Sequence, residues 1–248
     1  MSFNVRFPSP GDGPDVWDKR RDFLVATIRK HAPDVFGTQE LFHEQGEYIV
    51  AQAPEYRWFG LSRRGNQTDE HMGVFYKHAK LKLTNSGNFW LSENPNQPGS
   101  MSWNVSLPRM ATWGLFETAS GFRFYLVNTH FPHRREDEAA RVECARVIAR
   151  YIDGRPAIPI VLTGDFNAPA GGAVYNVFQL TDAWKSAAKR SGPEGTFNGF
   201  RGTTTGPRID WILFRGPLRV MEAHTITDDR QGRYPSDHFP VMAVFDYQ

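Results

Sequence analysis

Short apolar runs, separated by turn residues, recur along the whole chain and predict a protein built mainly from β-strands. Val, Ile, Phe, Tyr and Trp, which favour strands, are frequent in these runs, and Gly, Pro, Asn and Asp mark many of their ends. The predicted strands lie at 2–6, 34–39, 56–60, 73–77, 80–90, 111–118, 122–130, 158–164, 208–214, 218–227 and 239–246.

Three other stretches carry apolar residues at helical spacing. They are Val16 to Lys30, Phe42 to Ala53 and Glu136 to Ile152, and the last has the most regular apolar face. Helices therefore separate some strands but not all, whereas a purely parallel sheet needs a crossover helix at nearly every connection. The pattern favours an α/β fold in which mixed sheets are covered by helices on the outside.

The chain has 248 residues and no linker-like stretch divides it, so we expect a single domain spanning 1–248. Two long polar loops, at 62–71 and 92–108, interrupt the strand pattern, and long loops in compact domains are often functional. The sequence Thr-Phe-Asn-Gly-Phe at 196–200 is a further candidate for the rim of a substrate site.

The amino-acid composition gives only weak evidence about the binding partners of the protein and about its cellular compartment. The net charge of +2 is lower than that of most proteins that bind nucleic acid by charge alone, so nucleic acid is a disfavoured partner. No apolar run approaches the roughly 20 residues that a membrane span needs. Cys144 is the only cysteine, which fits a cytoplasmic protein or a secreted one whose leader has been removed. We expect a soluble monomer.

Polar residues with chemical potential cluster at the ends of the predicted strands. The clearest case is Gly164-Asp165-Phe166-Asn167, which follows the buried-strand pattern 158–162. Asp165 and Asn167 are two residues apart, so both side chains can project from the same side of an extended segment. There they could orient a water molecule and hold a phosphoryl oxygen. A turn in which both side chains cap backbone N–H groups explains this segment equally well on its own.

Two aspartates and a histidine near the end of the chain form the next candidates. Asp237 is the kind of hard oxygen ligand that Mg²⁺ prefers, and the adjacent His238 can donate a hydrogen bond to a phosphoryl oxygen. Taken alone, Asp237 and His238 are better explained by a turn that carries a surface histidine than by a catalytic role. Asp210 lies in an otherwise apolar strand, where a carboxylate is costly unless paired, and orienting a catalytic histidine would explain it.

Three further strand ends contribute one polar residue each. Glu40 follows the second strand and could bind a metal or cap the next helix, His130 ends the strand 122–130, and Asn4 lies in the first strand. If these ends converge, the site is rich in oxygen and imidazole ligands and has no thiolate, which suits Mg²⁺ or Mn²⁺ rather than structural zinc. The sequence contains no glycine-rich phosphate loop and no serine nucleophile elbow.

In this order, the motifs resemble those of the endonuclease/exonuclease/phosphatase superfamily, which includes DNase I, abasic-site endonucleases, sphingomyelinases and deadenylases. The matching motifs are an N-terminal strand Asn, Gln-Glu, Asn-Thr-His, Gly-Asp-Phe-Asn, Ile-Asp-Trp and Ser-Asp-His, which together run from Asn4 to Pro240. The resemblance implies a four-layer α/β sandwich, in which two mixed β-sheets lie face to face and helices flank them.

The resemblance also implies roles for the metal and the attacking water. Glu40 would be the chief metal carboxylate, assisted by Asn4 and Asp237, and one tightly bound Mg²⁺ or Mn²⁺ is expected there. Asp165 would activate or orient the attacking water, and Asn167 would position both this water and the phosphate.

The remaining roles concern the phosphoryl group and the substrate. His238 would stabilise the pentavalent phosphorus, with Asp210 orienting its ring, and His130 would hydrogen-bond a phosphate oxygen or protonate the leaving group. Glu70 would support such a histidine at the substrate, and Arg109 would contact the phosphate.

The resemblance implies a divalent-metal-dependent phosphoester hydrolase that uses in-line attack of water on phosphorus, but it does not set the substrate. We expect a small phosphorylated molecule, such as a sugar, inositol, lipid headgroup or nucleotide. A nuclease or deadenylase is the alternative, against which the modest net charge weighs. A non-catalytic protein that binds metal or phosphate on the same scaffold is a third reading, and the intact set of motif residues counts against it.

Overall fold

A computed structural model describes residues 1–155 and 158–247. In chain order its strands are β1 (Ser2–Asn4), β2 (Val35–Gln39), β3 (Tyr56–Phe59), β4 (Val74–Lys77), β5 (Leu81–Trp90), β6 (Met110–Thr118), β7 (Arg123–His130), β8 (Ile160–Asp165), β9 (Thr181–Asp182), β10 (Lys189–Ser191), β11 (Asp210–Arg215), β12 (Leu218–Thr225) and β13 (Val241–Tyr247). The helices are α1 (Trp17–His31), α2 (His43–Gln52), α3 (Glu138–Asp153), α4 (Ala173–Val177) and α5 (Ala183–Ser186), with short 3-10 helices at Pro10–Asp15 and Arg135–Asp137.

The strands form two mixed β-sheets. The first has the order β10-β12-β13-β1-β2-β4-β3, and the second has the order β5-β6-β7-β8-β11-β9. Most neighbouring strands are antiparallel, whereas β1–β2, β7–β8 and β10–β12 are parallel pairs. The central strands β1 and β2 of the first sheet face β7 and β8 of the second.

Three apolar clusters hold these layers together. One lies between the sheets and includes Val74, Leu126 and Ile212. A second joins α1 and α2 to the outer face of the first sheet, and a third joins α3 and α4 to the outer face of the second. Burial of these side chains is the main favourable contribution to folding. The arrangement confirms the predicted four-layer sandwich of two mixed sheets flanked by helices.

The parallel pairs determine where the functional candidates meet. In the first sheet, Asn4 of β1 pairs with Gln39 of β2, so the residues that follow these strands emerge at the same edge. In the second sheet, His130 pairs with Asp165, and Asp165 also pairs with Asp210 from the antiparallel side. Because the two sheets face each other, these two edges form one end of the sandwich.

Each of the strands and helices predicted from the sequence has a counterpart, but some bounds differ. The first strand ends at Asn4 rather than at residue 6, because Arg6 adopts a left-handed conformation with φ of 56°. The last begins at Val241, after Pro240, which cannot donate a backbone hydrogen bond. The elements within 173–191 were not predicted, since each is too short to show a period. That the chain forms a single domain stays a prediction.

Among the described residues, no helix combines the length and the apolar character needed to cross a membrane.

Candidate active site

A cavity of about 1170 Å³ opens at the end of the sandwich where these strand edges meet. The predicted site residues that line it are Glu40, Glu70, Arg109, His130, Asp165, Asn167, Asp237 and His238. Asn4 and Asp210 are buried directly behind this lining, within hydrogen-bond distance of it. A second cavity, of about 670 Å³, lies elsewhere, has mostly apolar walls and contains none of the predicted site residues.

Two of the predicted site residues in this lining have an unusual backbone conformation. Glu40 directly follows β2 with φ of 58°, and Asn167 follows β8 with φ of 47°. L-amino acids other than Asn and Asp rarely occupy this left-handed region, and such strain is concentrated at functional sites. In both cases the chain turns sharply at the strand end, and the polar side chain lines the cavity.

Asn4 connects the two halves of the site. Its Nδ2 donates to Oε1 of Glu40, at 3.2 Å, and to Oδ2 of Asp165, at 3.0 Å. Glu40 belongs to the first sheet and Asp165 to the second, so one buried amide holds two carboxylates from opposite sheets at a fixed separation. This contact explains why a polar residue stands in the first strand.

Glu40 and Asp237 form the acidic side of the cavity. Oε2 of Glu40 accepts a hydrogen bond from the backbone N–H of Phe7 at 3.2 Å. Arg6 lies 3.8 Å from Glu40 and also 3.8 Å from Asp237, but its guanidinium is hydrogen-bonded to Asp12 at 2.8 and 3.0 Å. Burial, together with the nearby Glu40 carboxylate, raises the pKa of Asp237. The negative charge here is therefore only partly neutralised by the protein.

This acidic side suits a hard divalent cation. Glu40 and Asp237 offer carboxylate oxygens, and the guanidinium of Arg6, which lies 3.8 Å from each of them, is already paired with Asp12. The predicted ligand Asn4 instead directs its Nδ2 at Glu40, and its Oδ1 accepts a hydrogen bond from the backbone N–H of Arg6 at 3.0 Å. A second group, Asp165, Asp210 and His238, also has potential ligand atoms within 4.8 Å of one another. In that group Nδ1 of His238 is already hydrogen-bonded to Oδ2 of Asp210 at 2.9 Å, so two of the potential ligand atoms are engaged with each other. The Glu40 side is therefore the better cation site.

Asp165 and Asn167 are fixed against each other and against His130. Oδ1 of Asp165 accepts from the backbone N–H of Asn167 at 2.9 Å, and Nδ2 of Asn167 lies 3.1 Å from Nε2 of His130. Burial and the neighbouring Asp210 carboxylate raise the pKa of Asp165 to about 7. Burial, reinforced by the Arg109 charge, lowers the pKa of His130 well below its ordinary value, so this imidazole is neutral.

His238 is held by a buried carboxylate. Its Nδ1 lies 2.9 Å from Oδ2 of Asp210, and its Nε2 lies 3.7 Å from Oδ2 of Asp165. Burial alone would lower the pKa of His238, but these two carboxylates outweigh burial and raise it well above its ordinary value. The structure therefore brings together Asp210 and His238 in the arrangement that the sequence suggested for an oriented imidazole.

Glu70 was predicted to support a histidine, but its hydrogen-bonded partner in the structure is an arginine. Its Oε2 is 2.9 Å from Nη1 of Arg63 but 3.9 Å from Nδ1 of His130, which is longer than a hydrogen bond. Glu70 therefore pairs with Arg63 and acts on His130 only through its charge in this structure. Arg63 could not be predicted from the sequence, since nothing distinguishes a buried arginine from a surface arginine within the polar loop 62–71.

Arg109 is a buried arginine with spare hydrogen-bonding capacity. Arg109 is 3% exposed, and its Nη2 lies 3.2 Å from Nδ1 of His133. Its Nε and Nη1 have no hydrogen-bond partner among the described residues. Buried polar groups are normally hydrogen-bonded, and guanidinium matches phosphate geometry. This cavity wall is therefore prepared to bind an anion.

Aromatic side chains form the opposite rim. Phe197 is 47% exposed, and its ring lies edge-on to the His238 ring with 5.1 Å between the centroids. Phe7, Phe42 and Phe200 also line the cavity. Such a rim offers an apolar surface next to the charged groups.

Comparison with known proteins gives a consistent family match. Residues 1–238 match the sequence profile of the Endonuclease/Exonuclease/phosphatase family. The structure is similar to that of a Bacteroides thetaiotaomicron mannosyl-6-phosphatase, with 34% identity, a TM-score of 0.93, and coverage of 99% of this chain and 98% of the other. It is also similar to an endonuclease/exonuclease/phosphatase family protein from the same species, with 33% identity, a TM-score of 0.93, and coverage of 100% and 96%.

More distant relatives include nocturnin. The rat protein is 22% identical over 291 residues, and the match covers 100% of this chain but only 65% of the length of nocturnin. The catalytic domain of human nocturnin with bound sulfate has 21% identity and a TM-score of 0.77, covering 99% of this chain and 91% of that domain. At this identity the similarity concerns the fold.

Proposed function

Because the chain belongs to the endonuclease/exonuclease/phosphatase family, whose members hydrolyse phosphoester bonds, we propose that it is a divalent-metal-dependent phosphomonoesterase acting on a phosphorylated sugar. The observation that carries this proposal is the buried Arg109, whose Nε and Nη1 lack partners among the described residues, beside His130 in the same cavity. A terminal phosphate presents more charge and more free oxygens to such a group than a diester does. The 34% identity to a mannosyl-6-phosphatase adds support.

Glu40 and Asp237 would hold one Mg²⁺ or Mn²⁺ ion, and Asn4 would hold the Glu40 carboxylate in place through its Nδ2. When bound, this ion supplies positive charge that stabilises the developing negative charge on the phosphoryl group. The oxygen-only donor set and the incomplete neutralisation by Arg6 support this assignment.

Asp165 would accept the proton of the attacking water. A pKa of about 7 is well suited to a general base near neutral pH, because the group is partly deprotonated and still basic. The backbone N–H of Asn167 and the amide of Asn4 each donate to one carboxylate oxygen and so fix the direction of the base. Water attacks phosphorus in line with the bond to the sugar oxygen; this P–O bond breaks, and the sugar oxygen leaves and takes up a proton from the solvent.

His238 would stabilise the negative charge that develops on the phosphoryl group in the transition state. Its Nδ1–H is engaged by Asp210, so the protonated Nε2–H is free to donate to a non-bridging phosphoryl oxygen as charge accumulates there. His130 and Asn167 lie together on the cavity wall and would hydrogen-bond the phosphate. Arg109 would bind its terminal oxygens.

The sugar would lie against the aromatic rim. A cavity of about 1170 Å³ is much larger than a phosphate group, so space is left for the remainder of the substrate. The exposed face of Phe197 next to His238 is positioned to contact the apolar C–H face of a pyranose ring.

The proposal is tested with purified protein in millimolar Mg²⁺. We expect release of inorganic phosphate from hexose 6-phosphates, including mannose 6-phosphate, with a higher kcat/KM than for bis-p-nitrophenyl phosphate or poly(A) RNA. Faster cleavage of RNA or of the diester would contradict the monoesterase assignment. Absence of hydrolysis of all three substrate classes, with metal still bound, would support a binding protein instead.

The assigned site is tested by Glu40→Gln and His238→Ala. Each should reduce kcat/KM by about 10²–10⁴-fold, the usual effect of losing a transition-state contact. Glu44→Gln is the matched control, since Glu44 is an exposed carboxylate on α2, and it should retain activity. Unchanged hydrolysis in both site variants would exclude the assigned residues.

A further inference from the structure

The segment Thr196–Phe200 joins two parts of the site that are distant in sequence. The backbone N–H groups of Asn198 and Gly199 donate to the carbonyl of Asp237 at 2.7 and 3.0 Å, and Nδ2 of Asn198 donates to the carbonyl of Ser236 at 3.1 Å. The N–H of Phe239 donates to the carbonyl of Thr196 at 2.7 Å. The segment therefore fixes the backbone on both sides of His238.

The Thr196 side chain makes the corresponding contacts to Asp210. Its Oγ1 accepts hydrogen bonds from the backbone N–H groups of Ile209 and Asp210, at 3.1 and 3.2 Å. Thr196 is fully buried, with 0% exposure. Thr196 thus accepts from the backbone N–H of Asp210 through its hydroxyl, and from the N–H of Phe239, the residue after His238, through its carbonyl.

The neighbouring strands of the sheet do not provide the hydrogen bonds that Thr196 makes to the backbone of Ile209 and Asp210. Asp210 begins β11 and pairs with Asp165 of β8 on one side, whereas β9 on the other side pairs only with Leu213 and Phe214. The hydroxyl of Thr196 takes the place of a neighbouring strand there. Oδ1 of Asp210 has no hydrogen-bond partner among the described residues, so the direction of its carboxylate depends on its backbone and on His238.

We propose that Thr196 is a positioning residue that aligns the Asp210 carboxylate with His238 through its buried hydroxyl oxygen. The proposal rests on the proposed function, in which His238 donates to the phosphoryl group. Without the oxygen, two buried N–H groups lose their acceptor, and the start of β11 shifts to recover hydrogen bonds. A displacement of about 1 Å at a reacting group can reduce the rate by about 10²-fold.

The test compares Thr196→Val, which keeps the shape but removes the oxygen, with Thr196→Ser, which keeps the oxygen. We expect Thr196→Val to lower kcat on the sugar phosphate by roughly 10²-fold with little change in KM, and Thr196→Ser to retain most of kcat. The matched control is Thr225→Val, since Thr225 is buried and its hydroxyl has no partner within the described chain. This control should keep both constants.

A spectroscopic measurement separates alignment from general damage. In protein labelled with ¹⁵N-histidine, the His238 Nδ1–H held by Asp210 should give a downfield proton resonance, assigned by its loss in His238→Ala. Thr196→Val should shift or broaden this resonance, whereas Thr196→Ser and Thr225→Val should not. If Thr196→Val does not fold, Thr196→Ala replaces it with the same expected losses.

The outcomes distinguish the two proposals. Full kcat and an unchanged resonance in Thr196→Val would overturn the positioning role, and so would an equal loss of kcat in Thr196→Ser. If the wild-type protein hydrolyses no phosphomonoester, the proposed function fails, and the His238 resonance alone then decides whether Thr196 aligns the pair.

Discussion

The two histidines of the cavity lie at similar distances from one carboxylate but differ in charge. Nε2 of His130 is 3.5 Å from Asp165 and Nε2 of His238 is 3.7 Å from it. His238 also touches Asp210, which favours the imidazolium, whereas the main charge near His130 is the Arg109 guanidinium, which opposes a second positive charge. The same residue type is thus prepared for two tasks by its surroundings, which are burial and the Arg109 charge for His130 and two carboxylates for His238.

The residue-scale prediction concerns the proton on Asp165. Its pKa is raised to about 7, so the carboxyl is protonated at low pH and ionised at higher pH. If it acts as the base, kcat/KM at saturating Mg²⁺ should increase as pH rises through about 7. The measurement is the pH profile of kcat/KM on a phosphomonoester whose own ionisation is corrected for.

Asp210→Asn provides the comparison. Removing this negative neighbour lowers the pKa of Asp165, so the rising limb of the profile should move to lower pH, even though the maximum rate falls because His238 loses its partner. A wild-type profile that is flat across this range would contradict the assignment of Asp165 as the base.

At the scale of elements, a buried polar network beneath the site joins the two sheets. Nδ2 of Asn128 on β7 donates to the carbonyl of Thr38 on β2 at 2.7 Å, and its Oδ1 accepts from Gln39 at 2.7 Å and from Thr163 at 3.1 Å. These bonds lie within the strands that carry Glu40 and His130 at their ends. The network therefore helps to set the distance between the acidic side of the cavity and the phosphate side.

Gly37 is the residue that makes room for this network. A Cβ at Gly37 would lie 2.2 Å from Oδ1 of Asn128 and 2.5 Å from Oγ1 of Thr163, and neither atom belongs to an exposed, flexible side chain. We expect Gly37→Ala to reduce the free energy of unfolding by about 1–3 kcal/mol or more through overpacking. Urea denaturation measures the change, and the same variant should lose activity because the sheets shift.

Gly154→Ala is the control for this prediction. Among the residues that the structure describes, the nearest atom to a Cβ at Gly154 is 3.6 Å away, which is ordinary contact, so the free energy of unfolding should change little. Equal stability of Gly37→Ala and Gly154→Ala would show that the interface between the sheets tolerates the extra methyl group, and that the network does not fix their separation.

The sequence predicted the strands and helices in which apolar residues recur at regular spacing. It also predicted that the polar residues at the strand ends lie together in one site. Asp210 and Asn4 could be predicted because each is a polar residue within an otherwise apolar strand pattern. The burial of Arg63 and of Thr196 could not be predicted, because it depends on the folded chain, and the segment 196–200 was predicted only as a rim of the substrate site. The ion pair of Asp182 with Arg208, at 2.6 Å, was hidden in the same way within short elements.

At the scale of the whole molecule, the site lies across the two facing sheets. Asn4, Glu40 and Asp237 come from the first sheet or its connections, and Asp165 and Asp210 come from the second. Bringing these carboxylates together costs free energy, because like charges repel in a buried site. The folded chain therefore concentrates negative charge that the unfolded chain does not, and a cation bound there should stabilise the fold.

The resulting prediction is a metal-dependent melting temperature. An ion that binds only the folded state at 100 times its Kd stabilises it by about 2.7 kcal/mol. For a chain of this length, that corresponds to an increase in Tm of roughly 5 °C or more. Differential scanning fluorimetry in Mg²⁺ or Mn²⁺, against NaCl at equal ionic strength, measures the shift. Glu40→Gln should lose most of it, and Glu44→Gln should keep it. A wild-type Tm that responds to neither ion would contradict cation binding by the folded protein. An equal shift in Glu40→Gln would place the cation elsewhere, with Asp165, Asp210 and His238 as the next group to test.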